Sequence, residues 1–280
     1  MIFDARENQR IAKRKKETVM YVGQATSFNH LAGYSGFRSA EDRVDEEGFE
    51  VVLAVLAGPS PWQEYIRENL HIARQNLPHR PFRIVSSKEF TQTMQALGRG
   101  GDMAHTPGVT DKRTGIITMQ EFFGVNSRAT FLGAALHETV HWVSHPAGRG
   151  GKSHSTAWPI LREGLLEGLV ECITREILSA QGIAQARPDR RGHQQRVPVV
   201  RELLRKHGTS LLARVLFAGD YREFLMLMNR AYSPAGWMEI GRLTTANDPV
   251  RAIQRMNELR AVEEQRRAKP KVREFQWIFR

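Results

Sequence analysis

The sequence predicts an α+β fold, a mixed lobe with a small sheet followed by a mainly helical lobe. Three observations lead there. Short β-branched and aromatic runs alternate with helical patterns over the first 145 residues. A strongly apolar helix closes that half. From residue 158 onward the periodicity is helical, in segments joined by short turns. Strands mixed with helices first, and helices alone afterwards, make an α+β chain. The expected division is a basic arm (1–18), an α+β lobe (19–145), a helical lobe (146–268) and a basic tail (269–280).

Thr18-Val-Met-Tyr-Val22 has strand composition, and residues 23–48 read as a loop rich in Gly, Ser and charge. Phe49-Glu-Val-Val-Leu-Ala-Val-Leu-Ala57 is an apolar run of strand length, closed by Gly58-Pro-Ser-Pro61. Ser60 as cap and Pro61 in the first turn open a helix to about Gln75. Phe82-Arg-Ile-Val85 is a short strand, and Ser86 or Ser87 caps a helix through about Ala96. Gly98 to Asp102 is a loop. Gly115-Ile-Ile-Thr-Met119 is a further strand, either a core strand or a sheet edge open to an extended peptide. Asn126 or Ser127 caps the next helix, which Pro146 and Gly148 end. A Gly/Ser/His-rich connector (144–157) leads to a long helix from Trp158 to about Ala180. Helices are then expected at 197–207, 209–217, 219–231, 235–243 and 247–268.

Hydrophobic residues make up 41%, enough for a real core, and no run reaches the 18 apolar residues of a membrane span. The first residues lack the apolar core of a signal peptide. The single cysteine, Cys172, excludes an internal disulfide and reads as a packed thiol. These features predict a chain folded in a reducing, cytoplasmic compartment. Net charge is +11, concentrated at Arg10 to Lys16, Arg187 to Lys206 and Arg251 to Arg280. No aromatic interleaving or nucleic-acid motif accompanies these clusters, so they read as solvated faces and tails.

The chemistry centres on Phe131-Leu-Gly-Ala-Ala-Leu-His137-Glu138-Thr-Val-His141-Trp-Val-Ser-His145. On a helix, His137 and His141 lie one turn apart on one face and reach one metal ion. Glu138 is one step round, placed to act as general base on a water. A catalytic zinc takes three protein ligands, so a third is required. Downstream, Glu163, Glu167 and Glu171 form a stripe at four-residue spacing. A helix packed on the first would aim one of them at the metal. The next carboxylate could then hydrogen-bond a ligand histidine's free ring N–H.

These residues resemble the gluzincin metallopeptidases, the thermolysin-like and aminopeptidase-like group. That group carries His-Glu-x-x-His on one helix and a Trp-Leu-x-Glu-Gly-x-x-Glu type of segment on a later one. Trp158-Pro-Ile-Leu-Arg-Glu163-Gly-Leu-Leu-Glu167 is similar, with Trp and Leu displaced. The resemblance spans roughly residues 115–180. It implies a zincin-like fold and one zinc per chain, held by His137, His141 and Glu163. Glu167 would be the carboxylate on a ligand histidine, and it is also the alternative third ligand. Glu138 would be the catalytic base. The related metzincin pattern fails, because Ser144 and Ala147 stand where it needs Gly and His. His145 reads as a rim residue. An oxyanion donor is expected outside the motif, with His193 and Tyr232 favoured over His154 and Tyr221.

The function so implied is zinc-dependent hydrolysis of a protein or peptide. It would act in the cell that makes it or as an effector or toxin delivered to another cell. The competing expectation is a non-enzymatic module of the same fold, binding nucleic acid or an anionic surface through its basic faces. Manganese, iron and cobalt also suit such ligands.

Overall fold

The computed structural model describes residues 46–76, 82–98, 107–111, 114–120, 128–144, 157–183 and 191–268. The basic arm, the expected strand at 18–22, the connector and the C-terminal tail lie outside the described residues, as do His145 and His154.

The first element departs from expectation. Residues 49–57 do not form a strand; they belong to helix α1 (Glu46–Leu56). Phe49, Val52, Leu53 and Leu56 are all buried, and their spacing is that of one helix face. A run this apolar hides its period, because Val55 is buried as well. Helix α2 (Gln63–Asn76) follows the Pro-rich turn. Strand β1 (Phe82–Val85) leads into α3 (Ser87–Ala96), whose N-cap Ser86 accepts from the backbone N–H of Glu89.

The sheet has three strands in the order β1-β3-β2. Strand β3 (Ile117–Gln120) runs parallel to β1 and antiparallel to β2 (Gly108–Thr110). β3 is therefore the central strand, and the edge beside the next helix is β2, which the sequence did not reveal. Three residues give a period-2 pattern too little length to register. Side chains alternate across the sheet. Phe82, Ile117 and Met119 enter the main core, while Val85 and Val109 pack under Phe90 and Met94 of α3.

Helix α4 (Arg128–Val143) lies against the main-core face of the sheet and also meets α1, α2 and the long helix α5 (Ala157–Ala180). Leu132, Ala134, Ala135, Leu136, Val140, Trp142 and Val143 are buried around it. A helix apolar on every side is one that the fold surrounds. Phe49 stacks on Phe82 and meets Trp142 edge-on, joining α1, the sheet and α4.

The helical lobe comprises α6 (Arg191–His207), α7 (Thr209–Ala213) running into a π-helical turn (Arg214–Ala218), α8 (Arg222–Tyr232), α9 (Pro234–Thr245) and α10 (Pro249–Ala268). One hydrophobic cluster runs from Phe49 to Met256, so the two lobes share a core. Helix α5 is its axis. Gly164 lets α5 touch α9: a Cβ there would stand 2.5 Å from the Thr245 backbone nitrogen. Gly168, one turn on, does the same against Arg196 and Val200 of α6.

These glycines give a paired stability prediction. Gly164→Ala forces α5 and α9 apart, at a cost of about 1–3 kcal/mol for overpacking. At Gly133 of α4 the space is open: an added methyl would meet only Leu178, at 3.8 Å, and the backbone is ordinary helix. Gly133→Ala should stabilise the chain by up to about 1 kcal/mol through helix propensity. Chemical denaturation of both variants beside the parent checks the opposite signs.

Candidate metal centre

The site forms where α4 crosses α5. His137 and His141 stand one turn apart on α4, with ring centroids 5.0 Å apart. Both Nε2 atoms lie 3.2 Å from one oxygen, Oε2 of Glu167. One ligand atom from each of the three residues lies within 4.8 Å of the other two. Among the described residues, no other group of three His, Cys, Asp or Glu side chains comes together in this way.

A second carboxylate on α5 orients the first histidine. Nδ1 of His137 is 3.1 Å from Oε2 of Glu171. An ionised carboxylate only accepts, so the ring N–H donates and Nε2 is the nitrogen directed at the shared point. Glu171 is in turn anchored by Arg175, whose Nε–H donates to Oε1 at 2.8 Å. This Arg–Glu–His chain is the support a ligand histidine ordinarily has. His137, His141 and Glu171 are all buried.

Burial pushes the Glu167 carboxyl up, but the charge of His141 and hydrogen bonds from His137 and His141 outweigh it. The group is held well below its ordinary range. Glu167 therefore meets the two imidazoles as a carboxylate. Two imidazole nitrogens and one carboxylate oxygen are a donor set that suits zinc. The residues fit the metal that the motif implies.

Glu163 does not join them. It is exposed near the start of α5, two turns before Glu171. The carboxylates that meet the histidines thus fall one helical turn later than those the resemblance implies. Glu167 takes the place expected of Glu163, and Glu171 the place expected of Glu167. The physical reason lies in the packing of α5. Residues 164–166 and 168–174 are buried, while 163 precedes that stretch and faces water.

Glu138 stands apart from the donor group. It is 7% exposed, and its Oε2 accepts a hydrogen bond from the Thr110 hydroxyl at 2.9 Å. Thr110, Glu171 and Arg175 all contact residues of the motif or its partners; Thr110 and Arg175 have no role in the sequence reading, and Glu171 enters it only as the third member of the carboxylate stripe. Glu171 had a signal, since it continues the carboxylate stripe into the apolar part of α5. Thr110 had none, because its strand was not visible.

The expected oxyanion donors fare differently. Tyr232 is a core residue of the helical lobe, which removes it from the site. It stacks on Trp237, shares a hydrogen bond with His207 at 3.2 Å, and burial raises its hydroxyl to about 12. It belongs to the buried stripe Phe224, Met228 and Tyr232 of α8. His193 lies in the first turn of α6, with its side chain outside the described residues. Tyr221 stands at the start of α8.

No protein-family model matches this chain, and no curated protein or solved structure matches it.

Metal content separates the two glutamates. Glu167→Gln should leave the folded chain without stoichiometric zinc, while Glu163→Ala keeps one zinc per chain. Glu171→Gln should weaken zinc about 10- to 100-fold, the usual effect of losing a carboxylate behind a ligand histidine. Competition with a fluorescent chelator measures all three.

Proposed function

We propose that this chain is a zinc-dependent metallopeptidase of the gluzincin type. The observation that carries the reading is the convergence of His137, His141 and Glu167 with Glu138 beside them but outside the donor group. A structural metal site has no use for an additional buried carboxylate. A hydrolytic one requires it.

A bound zinc would supply a Lewis acid and bring a coordinated water towards neutral pKa. His137, His141 and Glu167 would hold it, with Glu171 fixing the His137 ring and Arg175 fixing Glu171. Glu138 takes a proton from the water as that water attacks the peptide carbonyl. It then delivers that proton to the leaving amine nitrogen, so the same carboxylate serves as base and acid.

Ion pairing among the basic side chains of the helical lobe supports this reading over an anion-binding module. Many arginines of the helical lobe are engaged in ion pairs: Arg205 with Glu202, Arg214 with Asp220 and Glu223, Arg255 with Glu239 and Glu258, Arg267 with Glu263. Each of these guanidinium groups is already faced by at least one carboxylate. Among the described residues, no helix is long and apolar enough to cross a membrane.

Glu138→Gln should keep fold and zinc yet lose hydrolysis by roughly 100- to 10,000-fold, the range for general acid–base catalysis. A proteome-derived peptide library read by mass spectrometry for new termini is the assay. Equal cleavage by wild type and Glu138→Gln would refute the assignment. Growth arrest on cytosolic expression, relieved by the same substitution, would identify a delivered effector or toxin. Unimpaired growth would favour a peptidase serving its own cell.

A further inference from the structure

Edge strand β2 reaches the metal helix at one carboxylate, and the His-Glu-x-x-His pattern gives no hint of it. Thr110 is buried on the sheet face that meets α4. Its hydroxyl lies 3.0 Å from the Glu138 carbonyl oxygen and 2.9 Å from Glu138 Oε2. We propose that Thr110 is a positioning residue for Glu138, holding one carboxylate oxygen so that the other is presented to the reacting water. This inference rests on the metallopeptidase reading above.

The chemistry decides between the two acceptors. A threonine hydroxyl has one hydrogen to donate. A carboxylate oxygen is the stronger acceptor, since hydrogen bonds to an ionised group are roughly twice as strong as neutral ones. The hydrogen therefore goes to Oε2. A glutamate has three side-chain torsions, the last of them broad. Fixing Oε2 orients the carboxylate plane and leaves Oε1 as the oxygen that takes the proton.

Gly108 limits the same side chain from two residues away. A Cβ at that position would stand 3.1 Å from Glu138 Cγ and closer still to Met119 Sδ. The backbone of β2 thus closes on the stem of Glu138 while Thr110 holds its end. The register sets both contacts. Gly108 pairs with Met119 and Thr110 with Ile117, which puts both β2 residues on the face turned to α4. Val109 between them points to the other face, under α3.

The test is acetohydroxamic acid binding to the zinc-loaded full-length chain, measured by calorimetry. This chelator hands its hydroxyl hydrogen to a carboxylate beside the metal, so its affinity reports how Glu138 is placed. Thr110→Val should keep one zinc per chain and weaken acetohydroxamate about tenfold, the usual worth of a hydrogen bond to a charged group. Thr110→Ser should return the affinity to within about twofold of wild type, since it keeps the donor. In a Glu138→Ala background, Thr110→Val should cause no further loss, because its partner is already gone. Should Thr110→Val fail to fold, Thr110→Ala takes its place in the same cycle.

Unchanged affinity in the zinc-loaded Val or Ala variant would overturn the role of Thr110 while leaving the metallopeptidase reading standing. So would a tenfold loss that persists in the Glu138→Ala background, which would mark a purely structural effect. A folded wild type that takes up no zinc would overturn the metallopeptidase reading and this inference together.

Discussion

The carboxylate of Glu167 sits in the seam between α4 and α5, and the polar groups around it are arranged to keep it there. An ionised carboxylate taken from water loses several kcal/mol of solvation unless it is paired and hydrogen-bonded. Here two imidazoles supply the pairing, each 3.2 Å from the same oxygen. Those imidazoles are themselves fixed by the i, i+4 geometry of α4, and His137 is fixed again by Glu171 and Arg175. Three polar groups meeting at one point inside a core are costly as a structural device. They are well suited to receiving a cation.

Packing sets the geometry from both sides. α4 is held between the sheet and α5, with the Phe82–Phe49–Trp142 contacts on one flank. α5 is located by close approach at Gly164 and Gly168 on the side of the helical lobe, and by Trp62 and Gln181 nearer its end. The Trp62 indole N–H donates to Glu176 at 2.6 Å, and the Gln181 amide donates to the Val55 carbonyl at 2.6 Å. Rotation of α5 by one residue would swing Glu167 and Glu171 away from the histidines together. The site is therefore as exact as the packing of these two helices, a case in which rigid elements carry the chemistry.

The histidine pair was legible because both residues lie on one helix, where spacing alone fixes their geometry. The α+β character was legible at a coarse level, as was most of the helical lobe, because its amphipathic segments are separated by clear turns. What was lost depended on contacts between elements. The carboxylate stripe offered three candidates at identical spacing. Choosing between Glu163 and Glu167 required knowing where α5 becomes buried; the only local sign is that Arg162 stands beside Glu163, whereas apolar residues crowd Glu167 and Glu171. The apolar run at 49–57 has no polar interruption after Glu50 to show its period. Thr110 belongs to a three-residue strand that gains its identity from pairing with β3. Tyr232 looked chemical as an isolated phenol and is explained by the buried stripe it completes with Phe224 and Met228.

The most direct measurement is an anomalous difference map at the zinc edge from crystals of the zinc-loaded chain. A single peak about 2.0–2.2 Å from His137 Nε2, His141 Nε2 and a Glu167 oxygen is expected, the ordinary range for such ligands. Glu163 should remain in solvent. A peak held by Glu163 in place of Glu167 would contradict the geometry of α5 set out here. The absence of any peak at the crossing of α4 and α5 would contradict the metal centre itself.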